Sequence, residues 1–358
     1  MKMTFRWFGE GNDPISLQDI KQIPGMKGIV TSLHHTTVGE VWKYDEIIAV
    51  KNNVEKHGLD LDVIESVNIH EDIKLGVPSR DMYIDNYIKT LEQLSRAGIK
   101  TVCYNFMPVF DWTRSDLAKK LQDGSTALSY DEKAVLKMNP VNMFENIAGD
   151  KDIPELPGWE VSRLKDKLKP LFEQYSDIDN EKLWKNLEYF LKAVIPAAEK
   201  LDVKMAIHPD DPPWNIFGLP RIITGFDNLN RMMKLVDNPY NGITLCTGSL
   251  GANPQNDLPA AIRHFGKMGR IHFAHVRNVK HTGERVFHEA PHITSEGSID
   301  IYEVIKAFSD ISYAGPIRPD HGRMIWGETG RPGYGLYDRA LGSTYLNGLW
   351  EGITKTKC

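Results

Sequence analysis

Four residues of types that bind metal ions recur at intervals in the second half of the chain. They are His208, Cys246, His275 and Asp320, and 38, 29 and 45 residues separate them in turn. Each lies at or near the end of a short β-prone run, and such intervals are typical of one strand followed by one helix. Two imidazoles, a thiolate and a carboxylate suit Mn²⁺, Fe²⁺, Co²⁺ or Zn²⁺ better than Mg²⁺ or Ca²⁺.

Taken singly, each of these residues has an ordinary structural explanation. A histidine in a strand is commonly hydrogen-bonded within the fold, and a free cysteine often packs as a small hydrophobe. An aspartate at a strand end often caps the following helix. Their occurrence at the same place in four consecutive strand–helix units favours one metal site over four separate explanations.

The elements that must position these residues alternate along the whole chain. Eight β-prone runs occupy residues 4–9, 28–34, 61–67, 100–106, 204–208, 242–246, 270–278 and 315–321. Segments with helical periodicity lie at about 15–23, 44–57, 81–97, 180–200, 225–236, 257–267, 299–310 and 335–351. Gly58 and Gly98 follow two of these segments, as is common at helix carboxyl ends. The alternation predicts an α/β protein with a single (β/α)8 TIM-barrel domain over residues 1–358.

Strand alternation predicts which side chains face the mouth of such a barrel. Residues two apart in a strand point to the same side, so His275 should share its face with Phe273 and Arg277. In the preceding run, Thr244 and Cys246 should point inward while the apolar residues between them face the helices. In a TIM barrel, side chains at the carboxyl ends of the strands form the catalytic site.

The strand–helix rhythm is interrupted once. Residues 107–179 separate the fourth run from its helix, which predicts a TIM barrel with a long insertion after strand 4. An insertion on this face is a candidate lid or oligomer contact, although an excursion with neither role explains it equally well. The polar segment after the seventh run contains His281, His288 and His292, which we expect to be exposed to solvent.

The composition excludes several classes of function. The chain has 41% hydrophobic and 25% charged residues, a net charge of −5 and a pI near 6.2. It lacks the basic stripe that nucleic-acid binding requires, and it lacks an apolar run long enough to cross a membrane. Three scattered cysteines do not form a disulfide framework. We therefore expect a cytoplasmic protein with neither a nucleic-acid nor a membrane partner.

Several long segments resemble the signature segments of the mannonate dehydratase family. They are IHPDDPPW (207–214), GITLCTGSLG (242–251), HVRNVK (275–280), RPDHGR (318–323) and PGYGLYDRALG (332–342). The resemblance implies a xylose-isomerase-like TIM barrel that removes water from D-mannonate in glucuronate catabolism, giving 2-keto-3-deoxy-D-gluconate. It also implies Mn²⁺ or Fe²⁺ as cofactor and a homodimer.

The resemblance further implies roles for individual residues. The four metal ligands would be those named above, and His321 and Tyr334 would be the acid–base pair. Our expectation is that Tyr334 removes the C2 proton and His321 protonates the leaving hydroxyl, with the reverse order left open. Arg277 is a candidate clamp for the substrate carboxylate or, alternatively, part of a salt bridge. Glu65 and Asn105 could hold substrate hydroxyls or could simply fill the upper layer of the barrel.

Two other functions remain as alternatives. A metal-dependent sugar isomerase or epimerase on the same barrel would use similar ligands without loss of water. A sugar-acid-binding protein that has lost its chemistry would also keep the barrel. Finding a 2-keto acid after incubation with D-mannonate and Mn²⁺ distinguishes dehydration from both.

Overall fold

The computed structural model describes residues 1–138 and 168–357. The strands in this part of the chain are β1 (Lys2–Arg6), β2 (Gly28–Thr31), β3 (Asp60–Glu65), β4 (Thr101–Tyr104), β5 (Asp116–Lys120), β6 (Thr126–Asp131), β7 (Lys204–Ile207), β8 (Asn241–Cys246), β9 (Ile271–Val276), β10 (Asn278–Gly283), β11 (Val286–Ala290) and β12 (Pro316–Pro319).

The α-helices of the same described ranges follow the predicted periodic segments closely. They are α1 (Leu17–Gln22), α2 (Tyr44–Lys56), α3 (Glu71–Leu75), α4 (Arg80–Arg96), α5 (Glu132–Val135), α6 (Leu168–Tyr175), α7 (Asn180–Lys200), α8 (Phe226–Leu235), α9 (Thr247–Gly251), α10 (Leu258–Lys267), α11 (Ile301–Asp310) and α12 (Tyr337–Lys355). All eight predicted helices are present, although several of their ends differ by a few residues.

Eight of the strands close into a parallel barrel. Their order around the barrel is β1-β12-β9-β8-β7-β4-β3-β2, and every neighbouring pair is parallel. These are the eight strands predicted from the sequence, so the predicted TIM barrel is confirmed. Because all their carboxyl ends lie on one side, the residues that end or follow the strands share one face of the barrel.

The two faces of the strands have the predicted composition. The barrel interior contains a small apolar cluster that includes Cys103 and Phe273. Thr244 belongs to this inner layer, since its Oγ1 lies 3.2 Å from Cys103 Sγ. Ile243 and Leu245, the residues on either side of Thr244, belong instead to the large core between strands and helices. In this strand the alternation therefore directs Thr244 inward and its apolar neighbours toward the helices.

Local signals in the sequence explain where the helices begin and end. Gly98 follows α4 with a φ of 79°, a left-handed conformation that glycine adopts without steric cost. Asp257 and Asp300 precede α10 and α11, and each side chain accepts a hydrogen bond from a backbone N–H of the first turn. These caps place the helices so that their apolar faces pack against the barrel.

A second sheet was not predicted from the sequence. It is antiparallel, with the order β10-β11-β6-β5, and it joins two segments that are far apart in the chain. Strands β5 and β6 belong to the insertion after β4, and β10 and β11 follow β9. We call this the side sheet. The described part of the insertion is therefore built into the protein through strand pairing, and its predicted role as a lid or oligomer contact stays a prediction.

The side sheet also corrects the expectation for the histidines that follow β9. The segment is a β-hairpin followed by a turn, and His281 and His288 are only partly exposed. His292 is buried, and its Nε2 lies 3.0 Å from the backbone oxygen of Val276. Residues 139–167 of the insertion and Cys358 lie outside the described residues.

Candidate active site

The four candidate metal ligands come together at the carboxyl end of the barrel. Cys246 ends β8 and His275 lies in β9, while His208 and Asp320 directly follow β7 and β12. The strands β7, β8, β9 and β12 are consecutive neighbours around the barrel. The order of these residues in the sequence is therefore also their order in space.

The potential ligand atoms of His208, Cys246 and His275 all lie within 4.8 Å of one another, and Asp320 lies beside this group. His208 Nε2 lies 3.1 Å from His275 Nδ1. Asp320 brings one oxygen 3.5 Å from Cys246 Sγ and the other 3.7 Å from His275 Nδ1. Donor atoms held at about 2.0 to 2.3 Å from a tetrahedral first-row ion are roughly 3.3 to 3.8 Å apart. The measured separations lie close to this range, and imidazole, thiolate and carboxylate are donor types that first-row transition metals accept.

Neighbouring groups orient these donors. Ser249 donates to Cys246 Sγ from its hydroxyl at 3.1 Å and from its backbone N–H at 3.4 Å, which stabilises negative charge on the sulfur. The other nitrogen of His275, Nε2, lies 3.4 Å from Glu65 Oε2. A carboxylate behind a ligating histidine is a common arrangement in metal sites because it fixes the orientation of the ring.

Glu65, Cys103 and His275 form a second group whose potential ligand atoms lie within 4.8 Å of one another. Arg318 already binds both oxygens of Glu65, at 3.0 and 3.1 Å. Burial raises the pKa of Cys103 well above its ordinary value, which disfavours the thiolate that metal binding requires. The raised pKa of the Cys103 thiol therefore makes this group a poorer cation site than the first.

His321 and Tyr334 form a buried pair beside the metal-site residues. His321 Nε2 lies 2.9 Å from the Tyr334 hydroxyl. The ring of Trp112 packs edge-on against the ring of His321, with 5.3 Å between the ring centroids. Phe8 packs edge-on against Tyr334 in the same way, with 4.9 Å between the centroids. The two rings are thus held in place on their outer sides.

Burial changes the acid–base properties of this pair. It lowers the pKa of His321, although the nearby Asp320 opposes this change. It raises the pKa of Tyr334, and the negative charge of Asp320 raises it further. Both changes favour the uncharged forms of the two side chains.

A buried network of ion pairs lies behind the pair and was missed by the sequence analysis. Glu289, on β11, accepts hydrogen bonds from Arg114 at 3.0 Å and from Arg277. Asp211 binds the same two arginines, at 2.7 and 2.6 Å. Glu289 also lies 3.2 Å from His321 Nδ1. In a strand Glu289 would share a face with Phe287, two residues earlier, but the sequence did not predict this strand or the side sheet on which the network depends.

The two carboxylates of this network are held in the ionised form. Burial alone would raise the pKa of Glu289, but Arg277 and the other cations outweigh it and lower the pKa to about 2. Burial opposes ionisation of Asp211 too, and the charges of Arg114 and Arg277 bring its pKa below its ordinary value. The network is therefore an internally compensated cluster of charges.

Arg277 fits the salt-bridge alternative better than the role of a carboxylate clamp. Its guanidinium is fully buried and faces three carboxylates, those of Asp211, Glu289 and Asp320. It does not line the cavity in front of His321. Arg6 and Arg318 do line that cavity.

A cavity of about 60 Å³ lies in front of these groups. The lining includes the predicted substrate-binding residues Glu65 and Asn105, as well as His208, His321 and Tyr334. Asn105 also lines a larger neighbouring cavity of about 630 Å³. The catalytic cavity is thus small and mostly polar, and the larger cavity lies directly beside it.

Asp111 is a further residue of this cavity that the sequence analysis did not identify. It lies in the insertion, lines both cavities, and has its backbone oxygen bound by Arg221 at 3.2 Å. Burial raises the pKa of its carboxyl group, with His208 and Arg221 acting in the opposite direction. The residue follows the predicted strand end by several positions, so strand alternation gave no signal for it.

Across residues 1–138 and 168–357, no helix combines the length and the apolar character that crossing a membrane requires.

Comparison with known proteins gives matches over the full length of the chain. The model of the family described as D-mannonate dehydratase (UxuA) matches residues 1–358. The mannonate dehydratase of Thermotoga maritima is 60% identical over 357 residues, which cover 100% of this chain and 99% of the relative. Mannonate dehydratase 2 of Halalkalibacterium halodurans is 58% identical over 354 residues, covering 99% of this chain and 100% of the relative.

Solved structures also match the whole chain. The crystal structure of mannonate dehydratase from Streptococcus suis serotype 2 matches with a TM-score of 0.91 and 47% identity, covering 100% of this chain and 96% of that one. An L-ribulose 3-epimerase matches with a TM-score of 0.55 and 11% identity, covering 100% of this chain and 97% of that one. At this identity the second match shows a shared barrel fold alone.

Proposed function

The chain belongs to the D-mannonate dehydratase family of hydro-lyases, and on this premise we propose that it converts D-mannonate to 2-keto-3-deoxy-D-gluconate and water. The resemblance inferred from the sequence segments, and with it the class of enzyme, is confirmed by the comparisons. The observation that carries the proposal is that the candidate ligand group His208, Cys246 and His275, with Asp320 beside it, lies at the same barrel mouth as the His321–Tyr334 pair. The corresponding physiological setting would be hexuronate (glucuronate) catabolism.

We propose Mn²⁺ or Fe²⁺ as the cofactor, with His208, Cys246, His275 and Asp320 as ligands. The support for this proposal is the donor chemistry and the spacing of 3.1 to 3.7 Å described above. When bound, such an ion would act as a Lewis acid that stabilises the negative charge developing on the substrate as the C2 proton leaves.

We assign the base to His321 and the acid to Tyr334, which reverses the expectation from the sequence. Glu289 is an ionised acceptor beside His321 Nδ1, so Nδ1 carries the proton and Nε2 presents a lone pair. The Tyr334 hydroxyl then donates to that lone pair. In the resting pair, therefore, His321 can take a proton and Tyr334 can give one.

The proposed proton transfers balance over one cycle. His321 Nε2 takes the C2 proton, and the electrons of that C–H bond stay on the substrate as a carbanion conjugated with its carboxylate. In the next step these electrons form a C2–C3 double bond as the C3–O bond breaks. Tyr334 gives its proton to the departing hydroxide, which leaves as water, and the resulting enol converts to the keto acid. The imidazolium then returns its proton to the phenolate through their shared hydrogen bond, which restores both groups.

We further propose how the cavity holds the rest of the substrate. Glu65 and Asn105 line it and would offer a carboxylate and an amide to sugar hydroxyls, and Asp111 would add a second carboxylate. Arg6 lines the same cavity and is the better candidate than Arg277 for the substrate carboxylate, because Arg277 is surrounded by acidic side chains.

The direct test is incubation of the purified protein with D-mannonate and Mn²⁺. We expect a 2-keto acid lighter than the substrate by one water, and we expect none from the Tyr334→Phe variant. An epimeric aldonate of unchanged mass would instead favour the epimerase alternative. No change in the substrate under these conditions would contradict the proposed activity.

Two further expectations complete the proposal. We propose that the protein is a homodimer, which light scattering of the purified chain would test against a mass of 40.6 kDa for one chain. We also propose a cytoplasmic location, which fractionation of the producing cell would test.

A further inference from the structure

Glu289 has contacts that an ordinary buried salt bridge does not require. Its side chain is fully buried, and three donor groups converge on a single oxygen, Oε1. These donors are Arg114 Nη2 at 3.0 Å, Arg277 Nη1, and the imidazole of His321 through Nδ1 at 3.2 Å. Glu289 is not among the residues that line the catalytic cavity, so it reaches the cavity only through His321.

The chemistry of these contacts determines where the proton of a neutral imidazole resides. An ionised carboxylate can only accept hydrogen bonds, and the two guanidinium groups on Oε1 keep Glu289 ionised. His321 must therefore donate from Nδ1, and Nε2 is left as an acceptor that faces the Tyr334 hydroxyl at 2.9 Å. The opposite tautomer would place two acceptors against each other at Nδ1.

We propose that Glu289 is the positioning residue of the acid–base pair, and that it fixes His321 as the Nδ1–H tautomer with Nε2 directed toward Tyr334 and the substrate. The proposal rests on the proposed function, because it concerns the groups to which that function assigns proton transfer. Glu289 does not itself touch the substrate cavity. It acts by excluding the ring orientation and the tautomer that cannot accept a proton from C2.

The same contacts give the insertion a structural contribution to catalysis. Glu289 lies on β11, which pairs with β6 of the insertion. Arg114, also in the insertion, binds Glu289, and Trp112 packs edge-on against the His321 ring. The insertion therefore supports the ring through Trp112 and supports its hydrogen-bond partner through Arg114 and β6.

The first test reads the tautomer directly. We would label the histidines with ¹⁵N, remove paramagnetic ions, and record the imidazole nitrogen shifts, assigning His321 from the signals lost in His321→Asn. The expected result for the unaltered protein is a protonated Nδ1 and an unprotonated Nε2. A protonated Nε2 on His321 would overturn the proposal. The tautomer is read on the unaltered protein, and the His321→Asn variant serves for assignment alone.

The second test compares two substitutions of Glu289 that remove the same charge. In Glu289→Gln, the amide oxygen can occupy the position of Oε1 and accept from the same three donors. In Glu289→Met, the volume is similar but no acceptor remains. If Glu289 only neutralises the two arginines, both variants should lose activity equally. If Glu289 positions His321, the Glu289→Gln variant should keep most of the activity that the Glu289→Met variant loses.

We expect Glu289→Met to lose the Nδ1–H signal of His321. Its kcat should fall by roughly 10²-fold or more, within the ~10⁴-fold range of general acid–base catalysis, while KM changes by less than about threefold. Glu289→Gln should keep the signature and remain within about tenfold of the unaltered kcat. Equal kcat values for the two variants, or an unchanged tautomer in Glu289→Met, would refute the proposal. If the unaltered protein shows the expected tautomer but does not dehydrate D-mannonate, the proposed function fails while the positioning role of Glu289 stands.

Discussion

Replacing Arg277 by methionine should destabilise the protein strongly, although no surface contact is altered. The side chain is fully buried and compensates the negative charges of Asp211, Glu289 and Asp320. Methionine keeps most of the volume but leaves these carboxylates without their shared partner. Removing one member of a buried ion pair typically costs about 3 to 5 kcal/mol, because the remaining charge is desolvated and uncompensated.

The pKa of Glu289 gives a magnitude of the same order. It falls from the ordinary 4.5 to about 2 in the folded protein. At about 1.4 kcal/mol per pKa unit, this shift corresponds to roughly 3 to 4 kcal/mol of stability at neutral pH, of which Arg277 supplies the largest favourable share. For 358 residues, an unfolding entropy of roughly 0.75 kcal/mol per kelvin converts a loss of 3 to 5 kcal/mol into a Tm lower by about 4 to 7 °C.

The sign of the pH dependence follows from the direction of the shift. A carboxyl group whose pKa is depressed by folding contributes stability above its unfolded pKa and loses it as the pH falls through its folded pKa. The Arg277→Met variant lacks much of this depression. The difference in the free energy of unfolding between the two proteins should therefore be largest above about pH 5. It should become smaller as the pH is lowered toward 3.

The assay is thermal or urea unfolding of both proteins in EDTA, so that metal affinity does not enter the comparison. Arg263→Met is a matched control, because Arg263 also pairs with two carboxylates, Glu303 and Asp310, but is 34% exposed. Such exposed pairs contribute at most about 1 kcal/mol. Equal losses for the two variants, or a difference that grows in acid, would refute the reasoning.

Three further outcomes follow from the site. Cys246→Ser should weaken Mn²⁺ binding in calorimetry by at least about tenfold, whereas Cys103→Ser, in the barrel interior, should keep one ion bound per chain; equal affinities for the two would contradict the ligand set. Tyr334→Phe should still exchange the C2 hydrogen of D-mannonate with D₂O while forming no keto acid, and His321→Asn should lose both; the opposite pattern would restore Tyr334 as the base. Asp111→Asn should raise KM for D-mannonate by roughly tenfold with a smaller change in kcat, since a hydrogen bond to a charged group contributes about 1.5 to 3 kcal/mol; an unchanged KM would remove Asp111 from the substrate site.

The barrel was predictable because each of its strands carries its own signal. A strand buried on both faces is a short, nearly continuous apolar run, as in the segment that ends at Cys246, and it is recognisable without knowledge of its partner. The metal-site donors were predictable for the same reason, since each one stands at the end of such a run. The predicted strand boundaries were less accurate, and the run 4–9 corresponds to the strand Lys2–Arg6.

The side sheet was not predictable because its strands are short and contain polar or charged residues at many positions. The strand Asn278–Gly283 reads NVKHTG, and Asp116–Lys120 reads DLAKK. Such segments form strands only when they pair. Here the pairing joins Phe287 to Tyr130, which precedes it by 157 residues in the chain. The positioning of His321 by Glu289 depends on that pairing, so it was hidden as well.

The charges around the donor set explain how such a site can persist inside a folded barrel. Asp320 is bound by Arg318 and by Arg277, each at 2.7 Å, so its negative charge is compensated by protein groups alone. Burial by itself would raise the pKa of Asp320, yet Arg318 and the other nearby cations hold it well below its usual range. The geometry of this ligand is therefore set by the fold, and metal binding does not have to supply the energy that brings the four strands together. The position of Asp320 is thus fixed by the folded protein before any ion binds, as in a preorganised site.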